Sequence, residues 1–366
     1  MGMNQVKVAM VGAGGFGYRH AKAYANDPRV IFTAVCGRTK ERTQRRAQEF
    51  HVRDYTDIQE MMEKEKPDLV DVVTQEADQY RAVMDVLQSG YAKAVLTEKP
   101  LGTCVEEAYG MVREAQVRQV DFGVNFNRRF TVPYRLAKKW VEERAIGEPA
   151  YITYKFSHDP YDPPEEKDPY RWFFNVYPHA FDMLTYFAGP VDQVSAFFAK
   201  PEGHFYYKRF TINFRFLNRP VVANLIGGGE GKWRHESEYL EVGGTEGQAV
   251  VKNVTQMAVL RRHEEELEQV WTPAITEGPG LDIFEESVTN HLREAVTCLS
   301  EGRRMPAQAA NALYVQILMQ AAKESHERGG DPVRIDSFLG KYPLEGLREL
   351  TSVCAGSGMR HGQNIT

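Results

Sequence analysis

Apolar and polar positions change their period part-way along this chain. In the first third, short apolar runs alternate with amphipathic stretches. "VKVAMVG", "VIFTAVCG", "DLVDVVT", "AKAVLTEKP" and "DFGVNFN" are the runs. Between them lie helical patterns: a stretch from about Phe16 to Asn26, the charged "TKERTQRRAQEF", then "QYRAVMDVLQSG" and "EEAYGMVREAQVRQ". Runs this short and this uniformly apolar fit strands buried on both faces. Strand–helix alternation at this spacing predicts βαβ units and a doubly wound parallel sheet over residues 1–125.

Beyond that point the pattern changes. "YRLAKKWVEERAIGE" reads as one amphipathic helix, and "AYITYKFSH" alternates as a strand with one wet face. "VDQVSAFFA", "YKRFTINFRF", "PVVANLIG", "EYLEVGGTEGQAVV" and "MAVLRRH" follow as strands in succession, which predicts a mostly antiparallel sheet. Two helical segments, "FEESVTNHLREAVTCLSEG" and "AQAANALYVQILMQAAKESHERGG", close a second domain at 126–338, and the patchy, Gly-rich 339–366 reads as a surface arm. Within the second domain, "FFNVYPHAFDMLTYFAG" places polar residues in an apolar segment. Pro178 is a good first helical residue and Gly189 a good stop. His179 then sits in the first turn, with Asp182 three residues on and on the same face.

Composition narrows the function. At 366 residues with 42% hydrophobic and 26% charged, the chain reads as an ordinary globular protein of two domains. A net charge of −5 argues against a nucleic-acid binder. No stretch is apolar for long enough to cross a bilayer, and "MGMNQVKVAMVG" reads as the start of a first strand rather than a signal peptide. Cys36, Cys104, Cys298 and Cys354 are far apart and fit free thiols in a reducing cytosol. No cluster of side chains has metal-ligand spacing, so no metal is expected.

"VGAGGFGYRHAKAY" holds Gly12, Gly14 and Gly17 in G-x-G-x-x-G spacing, directly after a buried strand and opening a helix. Gly12 would permit the tight turn, Gly14 the approach of a pyrophosphate, and Gly17 close packing of helix on strand. Gly15 and Phe16 complete the loop, and the helix N-terminus offers free N–H groups to phosphates. An acid expected some 20 residues later, to hold the adenosine ribose diol of NAD, is replaced by Gly37, followed by Arg38 and Thr39. A guanidinium and a hydroxyl there suit a 2′-phosphate and favour NADP over NAD.

"TEKPLG" after the fourth run, "GVNFNRRF" after the fifth, the histidine helix and "LEVGGTEGQAVV" complete a set of motifs covering most of the chain. With them the sequence resembles the glucose–fructose oxidoreductase, inositol dehydrogenase and MocA-like family. The resemblance implies a Rossmann domain followed by an α/β domain with a large open sheet, whose outer face makes a homodimer or homotetramer. It implies hydride transfer between nicotinamide and one carbinol carbon of a sugar, sugar derivative or cyclitol. Glu98 would meet the nicotinamide ribose, and Lys99 both ribose and substrate hydroxyl. An ammonium at a strand's carboxyl end would also stabilise a forming alkoxide. His179 would be the general base for oxidation or the acid for reduction. Its place in a first helical turn favours the neutral ring, while Asp182 pulls the other way and could orient it.

Three departures stand out. The family's Asp four residues before the histidine is Asn175 here, an amide that can bond a hydroxyl but carries no charge. "VVTQEADQY" has Thr74 but places Gln75 and Gln79 where the family has Pro and His, beside the nicotinamide end. "NVYPH" lacks the family's glycines. Further candidate contacts are Asn127 for cofactor and substrate, and Arg128, His158, Trp172 and Tyr239 for substrate. Two other readings stay open: a glycosidase that uses bound NAD for transient sugar oxidation, and a non-catalytic sensor.

Overall fold

The structure is a computed structural model that describes residues 5–158, 167–228, 237–265, 267–274, 283–344 and 347, with only the backbone for 283 and 284. The chain begins with β1 (Val6–Val11), α1 (Gly15–Ala25), β2 (Val30–Cys36), α2 (Lys40–Phe50), β3 (Arg53–Tyr55), α3 (Ile58–Glu65), β4 (Leu69–Val72), α4 (Glu76–Gln88), β5 (Ala94–Thr97), α5 (Val105–Val117) and β6 (Asp121–Val124). All six strands are parallel, in the order β3-β2-β1-β4-β5-β6. Every residue of β4 and β5 is buried, as expected of strands covered on both faces. The order reverses between β1 and β4, and ligands in such sheets bind outside the strand ends at that point.

A 3₁₀ turn (Asn127–Phe130) leads into α6 (Val132–Glu142), β7 (Pro149–Ser157), α7 (Arg171–Val176), α8 (Pro178–Ala188), β8 (Val191–Ala199), β9 (Arg209–Phe216), β10 (Val222–Gly228), β11 (Glu238–Gly244), β12 (Gly247–Lys252), β13 (Met257–Arg262) and β14 (Gln269–Trp271). Then follow α9 (Ile283–Ser300), α10 (Ala309–Glu327), β15 (Val333–Arg334) and α11 (Asp336–Leu339). Among the described residues the second sheet has nine strands, ordered β14-β13-β12-β11-β7-β10-β9-β8-β15. Its pairings are antiparallel except for β10 with β7. It is an open, mostly antiparallel sheet: the strand succession predicts the antiparallel pairing, and the family resemblance implies the open form. Short β3, β14 and β15 and helix α3 are additions that the apolar pattern does not announce.

Helices α8 and α10 are almost wholly buried and share one core with the inner face of this sheet. Helix α9 instead returns to the first sheet, where Val288, Leu292, Ala295 and Val296 pack with Val6, Val8, Leu69, Ala94 and Leu96. The two sheets are thus joined by a helix late in the sequence as well as by the chain near residue 126. Past residue 338, Leu344 and Leu347 are buried and Tyr342 donates its hydroxyl to Glu106 on α5 (2.8 Å). The rest of the expected arm lies outside the described residues.

Candidate active site

The glycine loop follows β1 at the switch point. Gly12 has φ +125°, and a Cβ there would lie 2.1 Å from the Val73 carbonyl oxygen. A Cβ on Gly17 would lie 2.4 Å from the Gly12 oxygen, so these two positions demand glycine for the fold itself. At Gly14 and Gly15 a Cβ would meet nothing within 4 Å. That open space lies over the first turn of α1, where unpaired backbone N–H groups favour an anion. Nearby, Thr74 Oγ1 and Asn127 Oδ1 are buried without a partner among the described residues. Cleared backbone and orphaned polar atoms fit a dinucleotide.

The second wall is the loop after β5. Gln79 secures it, donating to the Glu98 carbonyl and accepting from Gly102 N (2.6 Å). Lys99, followed by a cis peptide bond to Pro100, is half-buried and donates one of its three N–H groups to the Asn175 carbonyl oxygen (3.0 Å). The third wall is the α7–α8 corner, where Pro178 starts α8 and Gly189, at φ +84°, ends it. This brings His179 to the same place as Lys99. A cavity of about 250 Å³ is lined by Phe16, Glu98, Lys99, Asn127, Arg128 and His179, with Asn125, Phe156, His158, Asn175 and Val176 completing it.

Electrostatics keep His179 neutral. Burial, then the cations Arg128 and Lys99, hold its pKa well below 6.5. The neutral ring anticipated from its helical position is present, but burial and these two cations cause it. Its Nδ1 is buried without a partner among the described residues, which leaves Nε2 as the nitrogen a ligand could meet. Burial also lowers the pKa of Lys99, against the pull of Glu98.

Asp182 does not orient the histidine. It takes Arg129 in a two-bond ion pair, with Nε 2.8 Å from Oδ2, across to the 3₁₀ turn. Arg128 is similarly claimed: its Nε and Nη2 donate to Glu238 at 2.9 and 2.8 Å, and Tyr134 also donates to that carboxylate. It lines the cavity as a fixed positive charge.

The Rossmann model described as "Oxidoreductase family, NAD-binding Rossmann fold" matches residues 6–126, and the "GFO/IDH/MocA C-terminal domain" model matches 134–250. The chain belongs to the GFO/IDH/MocA oxidoreductase family. Among curated relatives, it is 30% identical over 191 residues to scyllo-inositol 2-dehydrogenase (NAD(+)) of Bacillus subtilis, covering 51% of this chain and 55% of that one. It is 25% identical over 214 residues to levoglucosan dehydrogenase of Pseudarthrobacter phenanthrenivorans, covering 53% and 54%. The chain thus spans about half the length of the curated relatives it matches. An oxidoreductase from Agrobacterium radiobacter, solved with NAD+, L-tartaric acid and magnesium, shares the fold at TM-score 0.79 and 20% identity, over 92% of this chain and 100% of that one.

In this GFO/IDH/MocA protein two candidate substrate residues fall outside the cavity. Trp172 is buried edge-on to Tyr177, with ring centroids 5.0 Å apart, and is core. Tyr239 alternates with inward Glu238 on β11, so it faces the opposite side of the sheet, where its hydroxyl donates to Glu241. Arg38 is 77% exposed at the end of β2, paired with Asp78 (2.8 Å), beside Thr39 at the start of α2. Gln75 is exposed at the start of α4.

A buried network under Glu98 was not anticipated. His20 on α1 contacts Asp71 on β4 through Nδ1 (2.7 Å) and Glu98 through Nε2 (3.2 Å). Tyr24 donates to Asp71 (2.9 Å), and Asn125 donates to Glu98 while its Oδ1 meets His291 Nδ1 (2.6 Å). Burial pulls the His20 pKa down, but Asp71 and Glu98 more than offset it and raise it to about 10, so the ring is a buried cation. The sequence did carry a signal: Asp71 interrupts an otherwise apolar, fully buried strand.

Proposed function

We propose that this protein is an NAD(P)-dependent dehydrogenase acting on a carbinol carbon of a sugar, sugar derivative or cyclitol. The observation that carries the reading is the meeting of Lys99, from the loop after β5, and neutral His179, from α8, at one cavity. Gly12, Gly14, Gly15, Phe16, Gly17, Thr74, Gln75, Glu98 and Asn127 would hold the dinucleotide. The nicotinamide, when bound, supplies the hydride acceptor or donor.

The protein's part follows from its residues. Two N–H groups of Lys99 remain for the substrate oxygen and stabilise the negative charge that develops on it as its proton leaves. His179 Nε2 takes that proton in oxidation and returns it in reduction. Arg128, fixed by Glu238, keeps the imidazole from charging prematurely. His158 and Asn175 supply polar walls for further hydroxyls.

For the cofactor, the end of β2 supports NADP. Gly37 stands directly after β2 in place of an acid that would repel a 2′-phosphate, and exposed Arg38 can exchange Asp78 for it. One relative's name carries NAD(+) and the Agrobacterium radiobacter structure was solved with NAD+, so NAD is the competing outcome. We place the protein in the cytoplasm as a homodimer or homotetramer formed on the outer face of the second sheet, where Tyr151, Val222 and Ile226 are exposed.

The test is a screen of purified protein with NAD and NADP against scyllo- and myo-inositol, levoglucosan, D-apiose, hexoses and sugar acids, read at the reduced-nicotinamide absorbance. Reduction by at least one member supports the reading. Glycoside cleavage without net reduction would instead point to the glycosidase chemistry, and coenzyme binding without any turnover to a sensor.

A further inference from the structure

Glu76, the first residue of α4, reaches from the Rossmann domain to α7. Its Oε1 accepts from Arg171 Nη1 (2.8 Å) and its Oε2 from Asn175 Nδ2 (2.9 Å), with the side chain only 6% exposed. The charged and polar groups around it are Arg171 and Asn175 on α7, Lys99 after β5 and Glu107 on α5. Cations outnumber acids there, and the N-terminus of α4 adds partial positive charge. Burial raises its pKa, while Arg171, the Asn175 amide and Lys99 oppose that rise.

An ionised carboxylate only accepts hydrogen bonds, so the Asn175 amide must turn its NH₂ toward Glu76. Its Oδ1 is then left over, on a residue that lines the cavity and whose main-chain oxygen already holds Lys99. We propose that Glu76 is a positioning residue that fixes the polarity of the substrate cavity: it presents Asn175 Oδ1 as an acceptor for a substrate hydroxyl and makes a carboxylate at position 175 incompatible with the site. This rests on the dehydrogenase reading for its substrate and stands on geometry alone for the incompatibility. The carboxylate sits at residue 76, one hydrogen bond farther from the cavity than residue 175.

Asn175→Asp would set two carboxylates within hydrogen-bonding distance. Like charges that close share one proton, and the second ionisation is pushed up. A carboxyl with a raised folded pKa loses stability as pH rises above its unfolded value of about 4.3. The test compares wild type, Asn175→Asp, Glu76→Gln and the double variant. Ligand-free thermal midpoints are read from about pH 5 to 8, and kcat and KM with the best substrate of the panel. Asn175→Asp should fall increasingly below wild type as pH rises and lose at least about tenfold in kcat/KM. Glu76→Gln should raise KM more than it lowers kcat, and the double variant should abolish the pH-dependent loss and recover most of the activity. An Asn175→Asp protein equal to wild type in both readouts, or a double variant no better than Asn175→Asp, overturns the proposal. A panel with no substrate would sink the dehydrogenase reading, while the ligand-free pH series still decides whether Glu76 excludes a carboxylate.

Discussion

The buried cation His20 offers a quantitative test of how the coenzyme wall is held. His20→Gln removes the charge between Asp71 and Glu98, taking the counter-ion from Asp71 and leaving Glu98 to the pull of Lys99; Asp71 Oδ1 already lacks a partner among the described residues. Removing one member of a buried ion pair costs about 3–5 kcal/mol. Tyr24 and Asn125 remain bonded to the two acids, which favours the lower end. The penalty has a definite pH signature. The folded-state pKa of about 10 lies above the ordinary 6.5, so the stabilisation is complete below about pH 6.5 and lost as pH rises through 10. Urea unfolding followed by tryptophan fluorescence should therefore show a gap of about 3 kcal/mol between wild type and variant near pH 6, shrinking toward pH 10. A gap under about 1 kcal/mol, or one constant across that range, would refute an imidazolium held between two carboxylates.

Three further outcomes follow from the same geometry. Arg38→Ala should weaken NADP far more than NAD in calorimetric titrations; equal effects on both would undo the NADP assignment. Gly12→Ala should fail to fold, whereas Gly14→Ala should keep its thermal midpoint yet lose dinucleotide affinity, because its methyl enters only the open space over α1. The oxidation kcat/KM should stay level as pH falls through 6.5, since His179 acts as a base when neutral and its pKa lies well below that value; a fall centred near 6.5 would contradict the electrostatics.

The sequence was most readable where burial is complete and one-dimensional. Strands β1, β4 and β5 are covered on both faces and so appear as short, predominantly apolar runs, β1 broken by Lys7 and β4 by Asp71, and Pro178 and Gly189 bracket α8 because helix ends favour those residues. Strands β3, β14 and β15 have two or three residues each at sheet edges, too few to show a period. The site divides the same way. Lys99 and His179 could be located because motifs mark the strand end and the helix start. The partners of Asp182 and Arg128 could not, because they come from other elements, and helical spacing shows only local neighbours. Tyr239 lies one step of strand alternation from inward Glu238, and strand spacing without the register does not say which face a side chain takes. His20 needed the third dimension: only the folded sheet brings it between Asp71 and Glu98.

The proposed hydride transfer requires His179 as the group that moves the substrate proton. The most direct measurement is the turnover of His179→Ala, with the best substrate of the panel, alongside its dinucleotide affinity. Turnover lower by about 10²–10⁴-fold with coenzyme binding unchanged is the predicted result. Wild-type turnover in a folded, coenzyme-binding variant would contradict it.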